Sequence, residues 1–340
     1  MRTERARLAW QYPGPTSLRG SLLYPLTFTP ILSPKPWGGH RLSEFGKGSF
    51  GEPIGESWEV SDLENAPSAP SSQTVIAAGE FAGKTLSELQ AGFEGELGWS
   101  GRFPLLIKLL DANQHLSVQV HPDAAYVARH TDSHLKTESW YVVSANPDSV
   151  MFIGFRRGVT AKQVDKALGT PAIVDLLQPV PAHVGDIHHL PAGTIHSLGA
   201  GVLVAEVQTP SDTTFRIYDW ASEYGREPRP LHIADAIATL EIAGPPPNQE
   251  AQLDLSTRLL IETEHYWIVE RRPDQLASQH LESAAGFRVL MVIDGTVTVT
   301  HKGSEYGATR GGTMLLPASI TSEVTIEAEV SSIFLEIGVP

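Results

Sequence analysis

The stretch Gly185–Ser197, GDIHHLPAGTIHS, has a counterpart at Gly311–Glu323, GGTMLLPASITSE. The two align without a gap and share Gly, Leu, Pro and Ala. Each reads as a strand that runs into a proline turn and leaves in a second strand, since proline cannot donate to a central ladder. A pair of such segments predicts a duplicated β module. One copy lies on each side of Gly244–Gln249, GPPPNQ, whose three prolines mark a linker. In this alignment His196 falls opposite Ser322, so if His196 binds a metal, the second copy has lost that ligand.

The neighbouring segments agree. Leu116–Val120, Trp140–Val143, Val202–Val207 and Val289–Ile293 are rich in aliphatic and β-branched residues and bounded by turn formers, which predicts a mainly β fold. Helical patterns are few and short: Lys84–Leu89, Thr160–Leu168 with Thr160 as its cap, and His232–Leu240. The chain has 340 residues. At about 150 residues per domain that is roughly two domains. The expected architecture is an all-β barrel or sandwich in duplicate, with a few short helices. Residues 22–243 would form the first and 250–340 the second, smaller one, which binds no metal. Residues 1–21 carry four arginines and no apolar segment, and read as a flexible extension rather than a signal peptide.

Composition narrows the chemistry. Lys and Arg number 25 against 39 Asp and Glu, a net charge of −14, which argues against a nucleic-acid or anionic-membrane binder. A few local cations could still hold an anionic small substrate. There is no cysteine, so disulfides, thiolate zinc sites, iron–sulfur clusters and cysteine nucleophiles are excluded. Any metal must sit among His, carboxylate and amide ligands. No apolar run approaches the roughly 20 residues of a spanning helix. The expectation is a soluble, cytoplasmic protein with no membrane partner.

Four segments concentrate functional groups. In Leu116–Asp123, LSVQVHPD, Gln119 and His121 are two apart in a strand and so share a face. In Lys136–Val143, KTESWYVV, Lys136 and Glu138 share parity, so a lysine stands beside a carboxylate. In His188–His196, HHLPAGTIH, His196 begins the strand after the turn. The adjacent His188 and His189 face opposite sides and read as satisfied or solvated. Ala205–Trp220 gathers Glu206, Asp212 and Arg216 between two apolar runs. Taken together, Gln119, His121, Glu138 and His196 offer two imidazoles, a carboxylate and an amide oxygen, a set suited to Zn²⁺ or another divalent first-row ion. The residues alone point to a metal-dependent β-barrel enzyme and leave its substrate open.

LSVQVHPD, KTESW, LPAGTIHSLGAG and SDTTFRIYD, in this order, resemble the class I mannose-6-phosphate isomerases, zinc enzymes of the cupin fold. KPWGGHRL at Lys35–Leu42, GESWEVSD at Gly55–Asp62 and FPLLIKLLDA at Phe103–Ala112 extend the resemblance over residues 22 to 340, in the compact bacterial form. It implies cupin-like jelly rolls and one Zn²⁺ per chain, held by Gln119, His121, Glu138 and His196. It makes Arg216 a catalytic arginine and places Lys136 beside the metal-binding Glu138. Lys108 would hold the phosphorylated sugar, with Ser117, Glu206 and Asp212 lining the cleft. The implied reaction interconverts mannose 6-phosphate and fructose 6-phosphate by proton transfer through an enediol or enediolate. Lys136 is the proton-transfer candidate, with Glu206 and Asp212 as competitors. The alternatives are a cupin isomerase for another hexose phosphate and a non-catalytic sugar-binding cupin. Oligomeric state is left open.

Overall fold

The structure is a computed structural model describing residues 22–48, 51–66, 69, 71–247, 252–253, 256–273, 279–280 and 286–340. The extension 1–21 lies outside the described residues, as do 248–249 of the linker. Gly244–Pro247 has no regular structure. The chain is mainly β, and it divides into two compact units that are not continuous in sequence: 30–74 with 102–250, and 1–29 with 75–101 and 251–340. The expected boundaries, 22–243 and 250–340, therefore assign 22–29 and 75–101 differently from the structure. The reason is pairing. Leu26–Thr29 joins Thr313–Leu316 on one side and Val75–Ile76 on the other, so an early strand completes a late sheet.

In the unit 30–74/102–250 an antiparallel sheet of six strands runs in the order Ile187–Leu190, Glu138–Ala145, Val202–Gln208, Leu106–Ala112, Glu56–Val60, Ile31–Ser33. A second sheet runs Phe215–Tyr218, Val118–Val120, His196–Ser197, Val150–Phe155, Leu177–Pro181. They are open sheets, not the closed jelly-roll barrels that the resemblance implies. Between them lies one core: Trp140, Val142, Val202, Val204 and Leu110 from the first meet Met151 and Ile153 from the second. The outer side of the second sheet buries Val118, Val120, Phe155 and Phe215 against Val164, Ala167, Ile173 and Ala236 of three short helices. This two-sided burial explains the unbroken apolar look of the strands.

The short helices stand where the sequence places them. Thr85 caps Leu86–Gln90, its hydroxyl accepting from the Glu88 N–H while Glu88 reaches back to Thr85. Thr160 precedes Ala161–Ala167 and donates to Gln163 Oε1. Ile233–Thr239 follows His232.

The other unit holds an eight-stranded sheet and a four-stranded one, also open. Its copy of the proline turn differs from the first. Ile187–Leu190 does pass through the Pro191 turn into the strand His196–Ser197. In the second copy Thr313–Leu316 passes into a 3₁₀ helix, Ala318–Glu323, and the next strand starts only at Val324. Ser322 is thus exposed in a helical turn and not at a strand start. Pro317 at the helix N-terminus, with φ −54°, favours that turn.

Candidate metal centre and active site

The register of the second sheet builds one wall of the site. His196 lies directly opposite Gln119, and Gln119 directly opposite Arg216, so three of the expected residues form one cross-strand row. His121 follows the strand end two residues beyond Gln119. The six-stranded sheet supplies a facing row, Trp58, Lys108, Glu206, Trp140 and His188, each opposite the next. Glu138 is two residues before Trp140 and shares its face. The Trp140 ring meets His196 edge-on, 5.3 Å between centroids.

At the centre, Glu138 Oε1 is 3.2 Å from His196 Nε2 and Oε2 is 3.4 Å from His121 Nε2. The ligand atoms of these three buried residues all lie within 4.8 Å of one another. Their protonation follows from the backbone. His121 Nδ1 is 3.0 Å from the Thr213 carbonyl and His196 Nδ1 is 2.9 Å from that of Thr194. A carbonyl only accepts, so each Nδ1 carries a proton, and in a neutral ring that leaves the lone pair on Nε2. Burial, with Lys136 nearby, lowers the His121 pKa to about 3 and keeps that ring neutral. Two Nε2 atoms therefore face one carboxylate. His121 Nε2 and both Glu138 oxygens are buried and have no partner in hydrogen-bond geometry. The Lys136 ammonium, 2.8 Å from Oε2, meets part of this charge, and ligand atoms converging this closely leave a place that a divalent cation would complete. The residues therefore fit a divalent metal.

Gln119 completes the set. Its amide nitrogen is 3.3 Å from His196 Nε2, and its oxygen accepts from Ser117 Oγ at 3.1 Å. The two ends of an amide are nearly isosteric. Half a turn points the oxygen at the centre and lets the nitrogen donate to Ser117.

The cations have defined partners. Lys136 Nζ lies 2.8 Å from Glu138 Oε2. Burial works against the Glu138 charge, but Lys136 and the imidazoles hold its carboxyl well below the usual range. Lys108 Nζ is 3.2 Å from Glu206 Oε2 and sits over the Trp58 ring at 4.8 Å. Burial opposes the Lys108 charge too, yet Glu206 and Glu56 raise its pKa above the ordinary value. Burial raises the Glu206 pKa, partly offset by Lys108. Asp212 acts on Lys108 through its charge and belongs to the loop whose Thr213 carbonyl anchors His121. Arg216 donates to the Pro230 carbonyl at 2.7 Å and approaches Asp219.

All ten expected site residues thus belong to one unit. Four contributors were missed: Glu56, Trp58, Trp140 and Asp219. A signal for three of them was there, because the tripeptide Glu-Ser-Trp occurs twice, at Glu56–Trp58 and Glu138–Trp140. In both copies the carboxylate and indole share a face. Trp58 Nε1 donates to Glu56 at 2.8 Å and Trp140 Nε1 to Glu206 at 3.0 Å. The reading of His188 needs correction. His189 pairs with Ser139 at 3.0 Å, but His188 is buried with Nε2 unpartnered.

Residues 30–151 match the family model for the phosphomannose isomerase type I catalytic domain. The mannose-6-phosphate isomerase of Streptococcus mutans is 33% identical over 306 residues, covering 88% of this chain and 94% of that protein. The chain belongs to the mannose-6-phosphate isomerase family. The crystal structure of the Bacillus subtilis mannose 6-phosphate isomerase superposes with a TM-score of 0.80 at 27% identity, covering 92% of this chain and 99% of that one. A mannose 6-phosphate isomerase solved with zinc and yttrium shares the fold, at TM-score 0.68 and 15% identity over 92% of this chain and 98% of its own. The chain is an isomerase-family enzyme with a mainly β fold and a possible metal site at His121, Glu138 and His196. No helix among the described residues is long and apolar enough to cross a membrane.

Proposed function

We propose that the site holds one zinc ion through Gln119, His121, Glu138 and His196 and interconverts mannose 6-phosphate and fructose 6-phosphate. The observation that carries this reading is the convergence of two imidazoles and a buried carboxylate, their ligand atoms all within 4.8 Å of one another. Support for the substrate comes from the relatives' names, and for zinc over other divalent ions from the solved family member that binds it. Bound zinc would supply a Lewis acid for the sugar oxygens.

The chain's own residues supply the rest. Moving a proton between C2 and C1 needs a carrier near both carbons and a group that stabilises the oxyanion as it develops. Lys136 is the carrier. It is buried, and its ammonium pairs with Glu138, whose oxygens the metal would claim. Glu206 is less free, held by Trp140 on one oxygen and Lys108 on the other. Arg216, in the row with Gln119 and His196, stabilises the enediolate charge. Lys108 holds the phosphorylated end of the sugar, with Ser117 and Asp212 shaping the cleft. These cations let a chain of net charge −14 receive an anionic substrate.

The test joins metal content to activity. His121→Ala and His196→Ala should each lose zinc and turnover together, whereas Lys136→Ala should keep zinc and lose exchange of the C2 proton with deuterated solvent. A His196→Ala protein with full zinc and full turnover would overturn the ligand assignment.

A further inference from the structure

Asp219 holds together a cluster that the metal centre does not explain. Its buried carboxylate, with a side chain only 5% exposed, receives three guanidinium groups. Arg226 Nη1 donates to Oδ2 at 2.9 Å, and Arg229 gives Nε to Oδ1 at 2.6 Å and its backbone N–H to Oδ2 at 2.8 Å. Arg216 Nε lies 3.7 Å from Oδ1 without hydrogen-bond geometry. The loop that carries Arg226 and Arg229 then returns to Arg216 itself. The Arg216 N–H donates to His232 Nδ1 at 3.1 Å, the His232 N–H to the Arg216 carbonyl at 2.8 Å, and Nη1 to the Pro230 carbonyl at 2.7 Å. Arg216 is therefore fixed at its backbone and along one edge of its guanidinium.

One carboxylate against three guanidiniums is an unusual economy. Without Asp219 the three cations would repel one another, and Arg229 and Arg226 already lower the Arg216 pKa, after burial. The side chain that could leave most easily is Arg216, since it alone has no hydrogen bond to the carboxylate. The contacts of Arg216 run through Nη1 and Nε, which leaves Nη2 free, and the residue stands opposite Gln119.

We propose that Asp219 is the positioning residue for Arg216. It gathers Arg226 and Arg229 so that their loop supplies the Pro230 carbonyl, and it balances their charge so that Arg216 keeps its place opposite Gln119. The proposal rests on the reading of Arg216 as the group that stabilises the enediolate. Asp219 itself touches no reacting atom. A guanidinium displaced by about 1 Å loses up to roughly 10²-fold in rate, less than or similar to the loss on removing it.

The experiment is a kinetic double-mutant cycle on the full-length, zinc-loaded enzyme. Asp219→Asn, Arg216→Ala and the double variant are compared for kcat, KM, zinc content and Tm. Asp219→Asn should lower kcat about 10- to 100-fold with zinc unchanged. In the Arg216→Ala background the same substitution should change kcat less than twofold, because the group it positions is gone. Asp219→Glu keeps the charge and places it a methylene away. It should fold even where Asn does not, and its smaller kcat loss should vanish in the same background. An equal loss of kcat in both backgrounds, or a fall in Tm with kcat intact, would make Asp219 a structural residue only and overturn the proposal. If Arg216→Ala alone leaves kcat at the wild-type level, the reading of Arg216 fails first, and the proposal with it.

Discussion

Arg216 and Lys108 differ in what holds them, and so in what their loss should do. Arg216 has a free guanidinium edge, and Lys108 is buried between Glu206 and the Trp58 ring. Charge on an enediolate exists only near the transition state, whereas a phosphate is charged throughout. Arg216→Ala should therefore lower kcat by about 10²–10³ with zinc retained. Lys108→Met should mainly raise KM. Steady-state kinetics with metal analysis of both variants decides this. A raised KM with unchanged kcat in Arg216→Ala would mean the two roles are reversed. His188 gives a prediction of a different kind. It is buried with an unpartnered Nε2, and burial pushes its pKa below the ordinary 6.5. As pH falls through 6.5 the unfolded chain takes up a proton that the folded one refuses, so His188 costs stability on the acid side. His188→Leu should raise Tm, and the gain should widen as pH drops below about 6.5. A gain that is constant with pH would contradict the account.

At the scale of elements, the site depends on how the short strand His196–Ser197 is seated. Gly199 shows the constraint: a Cβ there would fall 1.6 Å from the Val150 carbonyl oxygen, on the strand that pairs with His196–Ser197. Gly199→Ala must push these strands apart. Overpacking of this kind costs about 1–3 kcal/mol, and here it also moves His196 away from Glu138. The variant should show a lower Tm and a weaker zinc affinity, measured by competition with a chelating dye; wild-type affinity would argue that His196 is not seated by this contact. Much of this was legible in the sequence. Strand parity alone put Gln119 with His121 and Lys136 with Glu138, and the Pro191 turn put His196 at a strand start. Asp219 was not legible, because its meaning lies in the return of residues 226–232 to Arg216, a contact no local pattern encodes. Ser322 misled for a related reason. The alignment matched residues across the two copies but could not see that Pro317 leads into a 3₁₀ turn.

For the whole molecule, the mainly β class follows from the strand runs. The closure of the sheets and the unit boundaries do not. Period-two patterning says which face of a strand is buried, not which strand lies beside it. Leu26–Thr29 reads as the start of the first unit, and only its pairing with Thr313–Leu316 assigns it to the second. The second unit holds no cluster of three His or carboxylate ligands among the described residues. About one zinc per chain is therefore expected. The most direct test of the central claim is titration of chelator-stripped protein with zinc, following fructose 6-phosphate formed from mannose 6-phosphate. Activity should be absent without metal, rise linearly and level off near one equivalent. Full turnover by the metal-free protein, or no isomerisation at any zinc level, would contradict it.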